Sequence, residues 1–97
     1  MAKVIYKYMF YVYIIYSKKI NKYYVGYSSN LKERIRKHNC GSSKYTSKGT
    51  PWKLIYYEVF LSNIDARKEE KFLKSGKGRE RLKFLLEDTK KNIGEVA

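Results

Sequence analysis

A cation and a titratable ring share one face of the first predicted helix. In Leu31–Asn39, a 3.6-residue repeat places Arg34 and His38 on the same stripe as Leu31 and Ile35, the apolar residues available to anchor it. An ion on a buried face needs a partner or a ligand, and a phosphate would be such a ligand. The alternative is that Arg34 extends to solvent and His38 is a hydrogen-bonded boundary residue.

The second predicted helix turns a negative charge inward. Ala66, Glu70 and Leu73 stand at i, i+4 and i+7, which places Glu70 on an apolar stripe and directs Glu69 away from it. The inward carboxylate is expected either to pair with Arg34 or to hold a divalent cation. Mg²⁺ commonly binds through one or two carboxylates together with water and phosphate. Spacing alone leaves both interpretations open.

Tyrosines supply a third set of polar groups. Tyr11 and Tyr13 share one face of the first predicted strand, and Tyr24 precedes Val25 and Gly26 in the second. Glycine in a strand allows close approach of backbone or ligand. Tyrosine pairs on neighbouring strands are usually core packing, so they indicate a site only in combination with the arginine, histidine and glutamate.

The scaffold for these residues follows from hydrophobic patterning and turn signals. The order ββαβαα predicts an α+β fold with a small, mainly antiparallel three-stranded sheet flanked by helices, in a single domain 1–97 with a core of about 8–90. The expected strands are Tyr8–Tyr16, Tyr23–Tyr27 and Trp52–Phe60, and the expected helices are Leu31–Asn39, Asn63 to about Lys74, and Arg79 to about Lys90.

Capping signals set the expected helix bounds. Asn30 and Ser62 are each followed three residues later by an acidic residue, the capping-box arrangement. Gly41 is expected to end the first helix, and Gly76 and Gly78 to end the second. The C-terminal tail is expected to fray.

The charge balance favours a polyanionic partner. Among 97 residues, 22 Lys and Arg stand against 9 Asp and Glu, a net charge of +13 that implies strong self-repulsion without such a partner. A membrane surface would require a basic amphipathic helix with a bulky apolar face or a lipidation motif, and the sequence has neither. The apolar segment Val4–Tyr16 is too short to span a bilayer. Nucleic acid is therefore the expected partner, with no membrane association.

Two further features concern compartment and substrate contact. The single Cys40 excludes an internal disulfide framework and a cysteine-based zinc site, so a cytoplasmic location is expected. The polar segment Cys40–Pro51 is expected to be a mobile surface loop. Its Lys44 and Lys48, together with hydroxyls and an aromatic ring, suit contact with DNA, and a plain solvated loop is the alternative.

In order, these residues resemble the GIY-YIG endonucleases. The second triplet is present as Tyr24-Val25-Gly26, and the first is Tyr11-Val12-Tyr13, with tyrosine in place of the name-giving glycine. Arg34 follows Tyr24 by ten residues and His38 follows four later. Ala66–Lys74 is similar to the family segment that carries the metal-binding glutamate, and its register selects Glu70 over Glu69. The resemblance covers roughly Phe10 to Leu86 and is closest to small stand-alone bacterial members, which are similar to the catalytic domain of branched-DNA nucleases.

The resemblance implies a metal-dependent DNA endonuclease, with a role in DNA repair, recombination or mobile-element processing. Glu70 would hold Mg²⁺ or Mn²⁺, and Arg34 would neutralise charge that develops on the phosphate. A phenol is a poor base at neutral pH, so the proton acceptor, Tyr13 or Tyr24, would need its pKa lowered. The remaining implied catalytic residue is His38.

The expected partner is DNA, including branched or structured DNA, and a protein that targets the chain to DNA is a further open possibility. DNA contacts are expected from Lys44, Lys48, Tyr27 and Lys74. The alternative function is a catalytically weak or inactive nucleic-acid-binding module of the same fold, for which the altered first triplet is the argument. An RNA-binding protein without nuclease ancestry is disfavoured, because no aromatic signature of the RRM type occurs.

Overall fold

The computed structural model describes residues 8–41 and 44–96, which form a three-stranded antiparallel sheet and four α-helices. The elements are β1 (Phe10–Ser17), β2 (Lys22–Ser28), α1 (Leu31–Asn39), β3 (Lys53–Phe60), α2 (Asn63–Leu73), α3 (Gly76–Leu85) and α4 (Glu87–Val96), with a 3₁₀ turn at Ser47–Gly49. The predicted α+β class and element order are confirmed. Parts of three predicted segments lie outside the described residues: Val4 to Lys7, Ser42 with Ser43, and Ala97.

The sheet has the order β2-β1-β3, so β1 is the central strand and is antiparallel to both neighbours. Its β-branched and aromatic residues suit a strand that is covered on both faces. Val12, Tyr13, Ile14 and Ile15 are all completely buried. The strand therefore directs alternate side chains into two separate packed layers.

The first layer joins the sheet to α1. Tyr13, Ile15 and Trp52 pack with Leu31 and Ile35, the apolar residues of the helix stripe. Because Leu31 and Ile35 turn toward the sheet, the polar members of the same stripe are brought to β1 as well.

The second layer joins the opposite face to α2 and α3. Val12 of β1 packs with Ala66 and Leu73 of α2, and Leu82 of α3 covers the same cluster. Ser62 caps α2 by accepting a hydrogen bond from the Asp65 N–H, as its capping box predicts.

The two glycines predicted to end the second helix lie instead inside the first turn of α3. The α2 helix ends at Leu73, and Ser75 caps α3 by accepting from the Gly78 N–H. A Cβ on Gly78 would stand 1.9 Å from the Phe72 carbonyl oxygen. The glycine is therefore required because the start of α3 lies directly against the end of α2, a contact that local sequence patterns do not reveal.

The C-terminal region also differs from the prediction. The single helix expected from Arg79 to about Lys90 is two helices, α3 and α4, that meet at the buried Leu86. The expected frayed tail is helical as far as Val96, and Ile93 is 9% exposed. None of the helices in residues 8–41 and 44–96 has the length and apolar character needed to cross a membrane.

Candidate active site

The pairing of β1 with β2 brings the two triplets together. Tyr13 lies opposite Gly26, and the next pair on this face places Ile15 opposite Tyr24. A Cβ on Gly26 would stand 2.3 Å from the phenol oxygen of Tyr13. The glycine is needed because the Tyr13 ring lies across the backbone of the edge strand, as expected where a strand glycine permits close approach.

The first triplet departs from the family pattern without filling this space. Tyr11 is directed toward β3, where its ring centroid lies 6.2 Å from that of Tyr57. Its hydroxyl donates to the Met9 sulfur over 3.8 Å. The tyrosine in the glycine position thus packs beside the site and leaves the Tyr13 phenol in contact with α1.

The α1 helix delivers the cation and the imidazole to that phenol. Its N-cap Asn30 accepts from the Glu33 N–H over 3.2 Å. His38 is completely buried, and its Nε2 lies 2.7 Å from the Tyr13 oxygen. Arg34 is half-buried, and its Nε donates to the same oxygen over 3.4 Å. The alternative expectation was that Arg34 extends to solvent and that His38 lies at the boundary of the core. Because His38 is completely buried, this alternative is wrong for His38.

The polar atoms form a continuous chain of hydrogen bonds. The Tyr13 oxygen accepts from Arg34, so its own proton is free to donate to His38 Nε2. In the tautomer with its proton on Nδ1, the imidazole accepts from Tyr13 and donates to the Thr46 hydroxyl over 2.8 Å. We call Arg34, Tyr13, His38 and Thr46 the phenol–imidazole network.

Thr46 was not identified from the sequence, because it lies in a segment expected to be a mobile surface loop. It is completely buried, and its carbonyl accepts from Trp52 Nε1 over 2.6 Å. Gly49 is buried against the Trp52 ring, and Asn39 bonds the Trp52 backbone on both sides. The loop prediction is thus wrong at Thr46 and Gly49. The available sequence signal was that a buried histidine requires partners for both ring nitrogens.

Burial sets the protonation states in the network. The pKa of His38 falls from 6.5 to about 4 because burial disfavours the charged ring and the Arg34 cation repels it. The pKa of the Tyr13 phenol is raised by burial, against an opposing hydrogen bond from Arg34. At neutral pH the network therefore consists of a neutral imidazole, a protonated phenol and one guanidinium.

Tyr24 and Glu70 lie beside the network. The Tyr24 and His38 ring centroids are 5.3 Å apart in an edge-to-face arrangement, and Lys74 Nζ lies 5.8 Å from the Tyr24 centroid. Glu70 bonds Lys74 over 3.1 Å and Arg67 over 3.8 Å. The expected alternative pairing of Glu70 with Arg34 is thus not formed. Charge on Glu70 nevertheless contributes to the raised pKa of Tyr13, which places the two groups in one electrostatic environment.

The prediction that Glu69 turns away from the core is wrong. Its side chain is 16% exposed, as buried as the 18% of Glu70, and it bonds Arg81 over 3.3 Å. The buried face of α2 is wide enough to include both glutamates, one on each side of the stripe formed by Ala66 and Leu73. Glu69 lies toward β3, where Glu58 raises its pKa through a hydrogen bond. Only Glu70 lies on the side of Tyr24.

The carboxylate of Glu70 suits a hard divalent cation whose other ligands are water and phosphate oxygens. Among the described residues, no cluster of three or more His, Cys, Asp and Glu side chains could hold a metal by itself. One carboxylate with water and phosphate oxygens is an ordinary Mg²⁺ environment. The cations on Glu70 are 48% and 62% exposed, so they are free to move aside. Glu70 thus fits a Mg²⁺ or Mn²⁺ ligand.

The predicted DNA contacts lie in different places. Lys44 and Lys48 are exposed beside the buried Thr46, and Lys74 lies next to Tyr24. Tyr27 is on the opposite face of β2, where Arg67 covers its ring at 4.0 Å and its hydroxyl donates to the Asn63 side chain.

A shallow recess lies on the exposed side of Arg34. The recess has a volume of about 350 Å³ and is lined by Arg34, Lys37 and Ser28, with Glu33 at its wall. Two cations and a hydroxyl are suitable ligands for phosphate oxygens. Arg34 thus connects the buried network to a space that is open to solvent.

Comparison with known proteins supports the resemblance. The GIY-YIG catalytic domain family matches residues 9–83. A UPF0213 protein encoded in the ldhD 5′ region of Pediococcus acidilactici is 40% identical over 79 residues, which cover 78% of this chain and 80% of the relative. A UPF0213 protein of Staphylococcus haemolyticus is 38% identical and covers 79% of this chain and 94% of its own length.

A solved structure agrees with these matches. The solution NMR structure of the UPF0213 protein BH0048 from Bacillus halodurans superposes with a TM-score of 0.51 at 34% identity. The match covers 79% of this chain and 84% of that one. Both triplets, the arginine, the histidine and the glutamate fall within the matched residues 9–83. The chain therefore belongs to the GIY-YIG catalytic domain family.

Proposed function

We propose that this protein is a metal-dependent endonuclease that hydrolyses phosphodiester bonds in DNA. The observation that carries the proposal is the phenol–imidazole network, in which Arg34 links the buried Tyr13 and His38 to an open cationic recess. A structural ion pair between Arg34 and Glu70 does not account for the inward arginine. Arg34 donates to a phenol, and Glu70 pairs with two other cations. The net charge of +13 suits a polyanionic substrate.

The network offers a route for the proton of the attacking water. Tyr13 can accept a proton on the side of its oxygen that faces Arg34 while it releases its own proton to His38 Nε2. Such a relay needs no free phenolate, which the raised pKa of Tyr13 would disfavour at neutral pH. His38 is the final acceptor because its ring is neutral at that pH.

Other side chains bind and orient the phosphate. Arg34 neutralises charge that develops on the phosphoryl oxygens, and a charge stabiliser that is already oriented needs no reorganisation during the reaction. Tyr24 is half-buried on the edge strand, so its hydroxyl is available to a substrate oxygen. Glu70 would hold Mg²⁺ or Mn²⁺, which supplies Lewis-acid stabilisation to the phosphate.

The experiment is incubation of the purified protein with labelled branched and linear DNA, with Mg²⁺ or with EDTA. Cleavage that requires Mg²⁺ is the expected result, and its preference for branched over linear DNA reports the substrate structure. DNA binding without cleavage in either metal condition would contradict the proposal and favour a nucleic-acid-binding module of the same fold. Roles in DNA repair, recombination or mobile-element processing depend on that substrate preference.

A further inference from the structure

A second cavity lies on the other face of the edge strand, away from the phenol–imidazole network. It has a volume of about 420 Å³ and is enclosed by β2 and by residues of α2, α3 and α4. Its floor is apolar: Ile14, Leu73 and Leu86 line it and are at most 2% exposed. The volume lies in the range of cavities that hold small organic ligands.

Cations surround this apolar floor. Of the described residues that line the cavity, five are cationic and none is acidic: Lys22, Lys74, Arg79, Lys83 and Lys90. An apolar floor beneath a ring of cations matches a ligand with a flat hydrophobic part and several anionic groups. We call this site the basic cavity.

Tyr23 supplies an aromatic wall. It is 42% exposed, and Lys90 Nζ lies 5.0 Å from its ring centroid. The Tyr16 ring centroid is 4.9 Å from that of Tyr23, and the two ring planes are tilted by 40°. An aromatic ring next to cations is the combination that binds unpaired bases, because every base has a face that stacks and a phosphate that follows it.

The basic cavity is adjacent to the candidate active site. Tyr23 and Tyr24 are consecutive residues of β2, so their side chains project from opposite faces of the sheet. Since β2 is an edge strand, a chain of nucleotides can pass around it from one face to the other. Lys74 connects the two sites, because it lines the basic cavity and lies 5.8 Å from the Tyr24 ring.

We propose that the basic cavity binds an unpaired nucleotide of single-stranded DNA close to the scissile phosphate. The base lies on the apolar floor beside Tyr23, and the surrounding cations contact the flanking phosphates. A paired base cannot enter without leaving its stack, so the cavity favours substrates with a single-stranded segment. This inference rests on the proposed function and specifies its substrate class.

The test measures fluorescence anisotropy in EDTA with a single-stranded oligonucleotide of about 12 nucleotides and with the matching duplex. Tyr23→Leu keeps an apolar side chain but removes the stacking ring. It is expected to weaken single-strand binding by about tenfold and duplex binding by less than about twofold. Tyr57→Leu is the matched control, because Tyr57 is 51% exposed on the other edge strand.

A second pair of variants tests the cations. Lys22→Ala with Lys83→Ala removes two charges at the basic cavity, and Lys68→Ala with Lys71→Ala removes two exposed charges of α2 outside it. The first pair should lower single-strand affinity several-fold more than the second. Equal losses from both pairs, or equal losses for single strand and duplex in Tyr23→Leu, would overturn the inference.

Methyl NMR spectra of the wild-type protein provide a test that does not require any variant to fold. Titration with the single strand should shift the methyl signals of Val25, Leu82 and Leu86, which line the basic cavity. Unchanged signals in the presence of bound DNA would contradict the proposed location. EDTA prevents cleavage throughout, so failure of this inference and failure of the nuclease proposal have separate readouts.

Discussion

The two faces of the sheet each bury ionisable side chains, and they satisfy them in different ways. On the α1 face, Tyr13 and both nitrogens of His38 have hydrogen-bond partners. On the α2 face, Glu58 and Glu69 lie together near Arg81. We call Glu58 and Glu69 the carboxyl pair.

The carboxyl pair is less completely satisfied than the phenol–imidazole network. Tyr56 donates to one Glu58 oxygen over 2.9 Å, but the other, Oε1, is buried without a partner among the described residues. A hydrogen bond with Glu58 and, after it, burial raise the pKa of Glu69, and a protonated Glu69 can supply the missing hydrogen bond. A proton on Glu69 would thus stabilise the carboxyl pair, whereas the network leaves its cation facing an open recess.

The comparison indicates that buried charge alone does not identify an active site. Two glutamates of α2, Glu69 and Glu70, are buried to a similar extent, at 16% and 18% exposure of the side chain. The distinguishing property is access: Arg34 lines a recess and Glu70 pairs with Lys74 on the side of Tyr24, whereas Glu69 lies against Glu58. Each prediction below tests one side of this difference.

The largest expected effect is on Glu70. Glu70→Gln should abolish cleavage, because an amide is a poor ligand for a divalent cation, while DNA affinity stays within a few-fold. Single-turnover cleavage and anisotropy measure the two quantities. The matched control is the exposed Glu80→Gln of α3, which should cut DNA normally. Normal cleavage by Glu70→Gln would remove Glu70 from the proposed metal site.

Arg34 is next. Arg34→Ala should lower turnover by on the order of 10²-fold or more, the scale for loss of a transition-state charge stabiliser. Its unfolding free energy should change by less than about 1 kcal/mol, because Arg34 is not the partner of Glu70 and leaves no buried carboxylate unpaired. Denaturant melts and cleavage rates are measured beside Arg36→Ala, an exposed arginine of the same helix. A large loss of stability with unchanged turnover would make Arg34 a structural residue.

The only histidine of the chain gives a pH signature. Because the folded pKa of His38 is about 4 against an ordinary 6.5, the unfolded chain binds the proton more readily between these values. Stability should therefore fall as pH falls through this window, by roughly 1 to 2 kcal/mol between pH 6.5 and 5. Comparison of urea melts for the wild type and His38→Gln isolates this contribution. Parallel pH profiles for the two proteins would mean that His38 is not buried in its neutral form.

Thr46 tests whether the network depends on its last member. Thr46→Val keeps the shape but leaves His38 Nδ1 without an acceptor, and an unsatisfied buried donor costs about 1 to 3 kcal/mol. Denaturant melts should detect this loss, and Thr89→Val in α4 is the control. If Thr46→Val is as stable as the wild type, the Nδ1 hydrogen bond contributes nothing.

The smallest effect is expected from the carboxyl pair. Glu69→Gln supplies the hydrogen-bond donor that a protonated Glu69 would provide, so stability near neutral pH should be unchanged or slightly higher. With a raised folded pKa, wild-type Glu69 loses stability as pH rises through that pKa, and the variant should lack this dependence. A strongly destabilised Glu69→Gln, measured by denaturant melts across pH, would show that its bond to Arg81 is the dominant interaction instead.

The fold was largely predictable because its signals are local. Alternating and β-branched residues predicted three strands, and the Asn30 and Ser62 caps predicted two helix starts. The errors occurred where tertiary contact overrides local preference. Gly78 is a helix terminator by local rules, but the structure needs it because α3 begins against the Phe72 carbonyl.

The candidate site was partly predictable for a similar reason. Helical periodicity directed Arg34, His38 and Glu70 inward, and strand alternation placed Tyr11 and Tyr13 on a common face. The register of β1 with β2 then brings Tyr24 to that same face. Thr46 could not be found this way, since a loop residue has no periodicity and becomes buried only when Trp52 holds its carbonyl.

The sequence by itself determined that Arg34, His38 and Glu70 turn inward, because the period of a helix depends only on the backbone. It also determined the excess of positive charge. Only the tertiary structure decided which inward charges meet: packing of α2 across the sheet places Glu70 on the side of Tyr24 and Glu69 beside Glu58. The physical reason is that a helix stripe specifies a direction of burial, whereas the partner found there depends on contacts between segments distant in sequence.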